Sequence, residues 1–385
     1  MSGFVLSGYF VSWGVYDRNY HVQNVPGDQL NHILYAFGNV RENGEVFLTD
    51  AWADTDKHYE DDSWNETGKN LYGNFKRLAL LKRQQRTLKV SLSIGGWTYS
   101  TNFSAVAADP AKRAVFVQSA MKLLDNLGLD GLDIDWEYPK TDCDARNYVT
   151  LLQELRGALS HYQGEKGDPQ PYLLTCAMPC GEDNYRRLCL REMAPLVDWL
   201  YLMAYDFAGS WSNHANHQAN LFGGELSVCK AVDYYLSQDV PAHKMVVGCP
   251  LYGRCFQNTQ GIGHSYHGIG KGSWEEGVYD YKQLPLPGGQ IHTDTHQVAS
   301  YTYDPATREL ITYDTTDVIQ RKAHWCRERG LRGLMFWELS ADHCDSSRSL
   351  VTAACNGLGG PAALEQTENH LFFPTSEYEN VRNGF

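Results

Sequence analysis

Asp130-Gly131-Leu132-Asp133-Ile134-Asp135-Trp136-Glu137-Tyr138-Pro139 alternates acidic side chains, at Asp133, Asp135 and Glu137, with Leu132, Ile134 and Trp136. A period of two is that of a β-strand, whose successive side chains point to opposite faces. One face is wholly acidic and the other is large and apolar, so neither face reads as ordinary solvent exposure. Carboxylates two residues apart on a strand sit roughly 6–7 Å from one another, from a rise of about 3.3 Å per residue. At that spacing their repulsion leaves one of them protonated near neutrality. A carboxylic acid beside a carboxylate is what a general acid needs. The competing reading, an edge strand charged against aggregation, does not suit the apolar side that Leu132, Ile134 and Trp136 form. Asp130 has the opposite parity and reads as a residue that fixes the strand's entry turn or makes a buried hydrogen bond.

Outward from this stretch, short β-rich apolar runs alternate with helical patterns, which predicts a parallel sheet with crossover helices. The runs are Gly8 to Trp13, His32 to Phe37, Lys89 to Trp97, the acidic strand, Tyr172 to Met178, Trp199 to Asp206, Met245 to Leu251 and Leu334 to Trp337. Asp109-Pro110 supplies an N-cap and a first-turn proline, and Val117, Ala120, Met121 and Leu124 follow as an apolar stripe. After the acidic strand, Tyr148, Leu151, Leu152, Leu155 and Leu159 recur at helical spacing. Eight strands alternating with helices predict an α/β fold, a (β/α)8 TIM barrel, whose catalytic residues stand at the C-terminal ends of strands. Glu137 closes its run just before Pro139. The seventh and eighth runs are separated by roughly 80 residues, far more than one helix requires. Residues 253–319 therefore read as a small α+β insertion subdomain. Residues 1–252 and 320–356 form the barrel, and 357–385 a tail held on it by Leu371-Phe372-Phe373-Pro374.

The chain has 385 residues and a net charge of −13. No basic run stands out, which argues against nucleic acid as a partner. Tyrosine and tryptophan are abundant, at 24 and 10 residues, and their rings suit stacking on sugars while the polar tips reach hydroxyls. No apolar run reaches the ~18 residues of a membrane span. The start, Met1-Ser2-Gly3-Phe4-Val5-Leu6, lacks the form of a signal peptide, which implies a cytoplasmic protein, or a secreted one whose signal was removed. The ten cysteines show no zinc-ligand spacing, and those in apolar strands read as reduced thiols. Two sequons, Asn65-Glu66-Thr67 and Asn102-Phe103-Ser104, point the other way. His214 and His217 share a polar loop, but no metal site is expected there, nor any cofactor.

The pattern Asp130-x-x-Asp133-x-Asp135-x-Glu137 resembles the signature of glycoside hydrolase family 18, the chitinases, and the likeness runs nearly end to end. Ser93-Ile94-Gly95-Gly96, Met203-Ala204-Tyr205-Asp206 and Tyr252-Gly253-Arg254 match motifs of the fungal and bacterial members. Such enzymes are (β/α)8 barrels with an α+β insertion before the last strand. The likeness implies that Trp337 floors the cleavage site, with Tyr9 and Phe37 beside it. It departs at Met178, Cys180 and Phe336, positions taken to bear on fine substrate preference.

Members of this family are substrate-assisted exceptions to the two-carboxylate retaining scheme. The resemblance therefore implies Glu137 as general acid and base, with Asp135 receiving the acetamide N–H of N-acetylglucosamine. Asp133 would share a proton with Asp135, Tyr205 would donate to the acetamide carbonyl, and Asp206 and Arg254 would hydrogen-bond the sugar. Met203 and Trp97 complete the candidate substrate-binding set, although Met203 also reads as barrel core, Ser93, Gly95 and Gly96 as packing, and Arg254 as a partner for an acid of the insertion. Trp97 and Trp136 could each be platform or packing, Trp136 leaning to packing by parity. The expected partner is chitin or its oligosaccharides, bound by a monomer. Two alternatives stay open: a chitin-binding lectin of the same fold, and an endo-β-N-acetylglucosaminidase acting on N-glycans.

Overall fold

The computed structural model describes residues 3–385. Met1 and Ser2, at the head of the segment read for a signal peptide, lie outside the described residues. Eight strands carry the parallel sheet: β1 (Val5–Val11), β2 (His32–Val40), β3 (Lys89–Gly95), β4 (Gly131–Asp135), β5 (Leu173–Pro179), β6 (Trp199–Met203), β7 (Met245–Pro250) and β8 (Gly333–Trp337). Each pairs with the next in parallel. β8 also pairs with β1, through Val5 opposite Gly333, which closes the barrel. A short strand, Val46–Leu48, adds antiparallel to the far end of β2.

The alternation in β4 sorts two surroundings. Leu132, Ile134 and Trp136 join the large core between sheet and helices, together with Phe116, Leu124, Tyr148 and Leu151. Val5, Tyr9, Leu34, Tyr201, Val246 and Met335 fill the barrel interior instead. The helix Pro110–Leu127 starts where Asp109 caps Ala111 and Lys112 and ends at Gly128, φ 68°. It turns Phe116, Ala120 and Leu124 fully inward, whereas Val117 and Met121 are only partly buried. The helix Asp142–Lys166 buries all five residues of the stripe read from its sequence.

Asp130 ties the floor of the barrel together. Its carboxylate accepts from the Val90 and His370 amides, each at 2.7 Å, and pairs with buried Lys82 at 2.7 Å. In the tail, Phe373 is buried but Phe372 is exposed, so one of the two rings is the anchor.

Between β7 and β8 the chain builds a second, five-stranded antiparallel sheet in the order Val278–Asp280, Tyr252–Phe256, Glu309–Thr312, Ala299–Asp304, Gln290–Asp294. The helix Thr316–Glu328 then leads back to β8. Among the described residues no helix is long and apolar enough to cross a membrane. All ten cysteines are unpaired, with Cys176, Cys180, Cys249, Cys255, Cys326 and Cys355 buried.

Candidate active site

The strand that carries the acidic row ends at Asp135, two residues earlier than its alternation reads. Past that point the Glu137 amide donates to Ser100 Oγ at 2.8 Å instead of to a neighbouring strand. Glu137 thus leaves the ladder at the C-terminal mouth, where a barrel presents its chemistry. Two glycines let β3 press against this turn. A Cβ on Gly95, φ 117°, would lie 2.1 Å from the Asp135 carbonyl oxygen, and one on Gly96, φ 81°, 2.7 Å from the Phe37 ring. Both positions need the left-handed backbone that glycine adopts without strain.

The mouth opens into a cleft of about 1030 Å³, lined by Tyr9, Phe37, Trp97, Asp135, Glu137, Met203, Tyr205, Asp206, Arg254 and Trp337 among others. Every candidate catalytic or substrate-binding residue is therefore at the cleft except Asp133. That carboxylate is fully buried one layer below. It accepts from three hydroxyls: Tyr9 at 3.1 Å, Ser93 at 2.7 Å and Thr175 at 2.7 Å. Ser93 is thus a hydrogen-bond donor to the acid row, where its motif read as packing.

Asp135, 3% exposed, has one carboxylate oxygen without a hydrogen-bond partner among the described residues. Burial holds its pKa well above the carboxylate range, and the charges of Glu137 and Asp133 push it further. Glu137 is pushed up to about 7, chiefly by burial and then by the negative Asp206, while the neighbouring Tyr138 hydroxyl works against the rise. Asp133 is raised by burial, but its three hydroxyl partners counteract it. Donors to the charged form favour ionisation, so Asp133 is the best supported anion of the row and Asp135 the worst.

Trp337, Tyr9 and Phe37 meet as one aromatic floor, with ring centroids 5.1 Å apart for Tyr9–Trp337 and 5.7 Å for Phe37–Trp337. Trp97 is 76% exposed at the cleft, whereas Trp136 is 2% exposed and stacks on Phe103 at 5.4 Å. One is a surface platform and the other is packing. Met203, last residue of β6, is half-buried and faces the cleft. Asp206 sits at φ 60°, and its Oδ1 accepts from Tyr252 Oη and Arg254 Nε, both at 2.6 Å. Arg254 thus pairs with a barrel acid and also lies over Trp211 at 4.6 Å. Met178, Cys180 and Phe336, where the sequence departs from the family pattern, all face the helices and do not line the cleft.

Several lining residues went unread in the sequence: Trp13, Tyr138, Asn184, Trp211, Glu275 and Glu276. Trp13 stands just past β1, and Trp211 lies in the loop after β6, as the rule of C-terminal strand ends requires. Two exposed tryptophans in such loops were the available signal. Nothing in the sequence aims the insertion's glutamates at the cleft. Among the described residues no cluster of His, Cys, Asp or Glu could hold a metal, and His217 is buried near Asp294, at 3.7 Å.

Barrel, carboxylate row and aromatic cleft together define a glycoside hydrolase. The family model described as "Glycosyl hydrolases family 18" matches residues 5–342, and the chain belongs to that family. It is 45% identical to Chitinase 1 of Aphanocladium album, with 100% of this chain and 91% of that protein covered. Against Endochitinase 1 of Metarhizium robertsii it is 46% identical, covering 99% and 90%. Among solved structures, chitinase ChiA74 from Bacillus thuringiensis superposes with a TM-score of 0.87 at 30% identity, covering 94% of this chain and 70% of that one.

Proposed function

We propose that the chain is a chitinase, hydrolysing β-1,4 bonds between N-acetylglucosamine units by a retaining, substrate-assisted mechanism. The observation that carries this reading is the pair at the cleft floor: Glu137, an acid poised at about 7, beside Asp135 with an unpartnered oxygen. An acid of that strength is substantially protonated near neutral pH and still able to release its proton. The aromatic floor formed with Trp337 suits a pyranose ring, and the names of the relatives support chitin as its source.

In this mechanism Asp135 and Glu137 titrate as a pair. When a sugar enters, its acetamide N–H donates to the free oxygen of Asp135. That favours the ionised form of Asp135 and leaves the pair's proton on Glu137. Glu137 passes it to the glycosidic oxygen as the bond to the anomeric carbon breaks. The acetamide carbonyl oxygen attacks that carbon from the opposite face, giving an oxazolinium ion and no covalent enzyme intermediate. Asp135 stabilises the positive charge, and the Asp133 carboxyl beneath it, fixed by three hydroxyls, supports Asp135. Tyr205, whose hydroxyl burial keeps protonated, donates to the carbonyl oxygen as it turns. Glu137, now a carboxylate, takes a proton from water, which opens the ring on the original face. Asp206 and Arg254 contact the sugar's hydroxyls, Met203 forms a wall, and Trp97 stacks against a neighbouring unit.

The test is hydrolysis of chitohexaose with early products followed by NMR. The expected outcome is shorter oligomers released as the β-anomer, and Glu137→Gln reducing turnover at least about 10³-fold. Early α-anomer, or a Glu137→Gln variant that still turns over, overturns the mechanism. Binding of the oligomer without cleavage would mark a lectin, and preferred cleavage of a high-mannose glycopeptide an N-glycan endoglycosidase.

A further inference from the structure

The insertion contributes one wall of the cleft through Ile269, Glu275, Glu276 and Gly277, yet none of these residues belongs to the barrel. Their loop closes on itself, with the Gly277 amide donating to Gly270 O at 2.9 Å and Ser273 N to Val278 O at 2.8 Å. Something must fix that loop against the barrel floor. On the backbone, the Leu251 amide donates to Trp337 O at 2.7 Å, and Tyr281 N donates to Leu251 O at 2.9 Å. On the side chains, one arginine from the loop after β1 joins three parts of the chain.

Arg18 Nη1 donates to Glu338 Oε1 at 2.8 Å, and Glu338 is the residue next to Trp337. The same nitrogen lies 3.8 Å from Asp280 Oδ1 in the insertion. Its guanidinium covers the Trp274 ring at 5.1 Å, and the Trp274 indole N–H donates to Asp280 Oδ2 at 2.9 Å. Trp274 directly precedes the wall residues Glu275, Glu276 and Gly277. Lys282 supplies a second cation, 3.6 Å from Asp280 and donating to Ser340 O at 2.6 Å. Glu338 and Asp280 are 6% and 3% exposed. Buried charges of this kind lose their compensation when one partner is removed, and a planar guanidinium both pairs and stacks where an ammonium only pairs.

We propose that Arg18 is a positioning residue for the glycan-binding cleft: it bridges Glu338, which follows the floor's Trp337, to Trp274 and Asp280, and so sets the insertion's wall at the distance a bound sugar chain requires. Arg18 itself does not line the cleft. It acts on binding through the wall and leaves Glu137, Asp135 and Tyr205 in place. This inference rests on the chitinase reading for its substrate but not for its geometry.

The experiment compares the parent protein with Arg18→Met, which keeps an apolar stem, and Arg18→Lys, which keeps the charge without the planar stack. Kinetics on chitohexaose are paired with hydrogen exchange of residues 269–281 in each protein without sugar. The expected result for Arg18→Met is faster exchange in that segment and a KM about tenfold higher, with kcat within about twofold of the parent. Arg18→Lys should recover part of both effects. Unchanged exchange in Arg18→Met overturns the proposal, whatever the substrate proves to be. So does a fall in kcat at unchanged KM, or a loss that Arg18→Lys does not relieve. A parent that fails to cleave chitohexaose refutes the chitinase reading alone, because the exchange measurement still decides the clamp.

Discussion

Asp206→Asn isolates the electrostatic part of the acid's tuning. Glu137 rises from 4.5 to about 7, with burial first and the charge of Asp206 next among the causes that raise it. At an effective dielectric of about 20, a unit charge elsewhere in the same cleft is worth on the order of 1–2 kcal/mol, or about one pKa unit. Burial leads the rise, and the charge of Asp206 supplies a smaller part of it. The substitution is conformationally mild: position 206 has φ 60°, which asparagine tolerates better than most residues. Its side-chain carbonyl can still accept from Tyr252 and Arg254. The active form of Glu137 is protonated, so lowering its pKa moves the alkaline limb of kcat/KM to lower pH. The expected midpoint falls from about 7 to about 6, costing about fivefold at pH 7 and little at pH 5. The assay is the pH profile of kcat/KM on chitotetraose for parent and variant. A limb that stays within about 0.3 units, or moves upward, refutes the assignment of Asp206 as a charge that raises Glu137.

Tyr205→Phe removes one donor to the acetamide carbonyl and should lower kcat about 10²-fold with little change in KM, read from steady-state kinetics. Asp54, buried and hydrogen-bonded by the Tyr35 hydroxyl, is pushed up to about 7 from 3.8, chiefly by burial. The folded state therefore holds this proton more tightly than the unfolded chain between about pH 4 and pH 7, and stability falls as pH rises through that window. Asp54→Asn should stabilise the fold by about 1–2 kcal/mol at pH 8 and by much less at pH 4, in urea titrations at both values. Lys322→Met strands Asp314, its partner in an ion pair buried to 0% and 3% side-chain exposure, and should cost about 3–5 kcal/mol by the same titration.

The barrel was legible because its strands obey a two-residue period and its helices a 3.6-residue one. The row Asp133, Asp135, Glu137 reveals both a strand and its chemistry without any partner in view, since no soluble edge carries Leu132, Ile134 and Trp136 behind it. The long gap before β8 likewise announced an insertion by length alone. What lay outside the sequence depends on distance in space. Asp133 draws its donors from Tyr9, Ser93 and Thr175 on three other strands, so its hydrogen-bond partners could not be read from spacing along β4. Parity along β4 already pointed Trp136 to packing, but only the fold shows that Trp97 stands open at the cleft. Arg18 is more than two hundred residues from both Asp280 and Glu338, and meets them because the barrel closes β8 on β1. Local alternation is written in the order of the residues. The pairing of charges across the mouth exists only once the ring is shut.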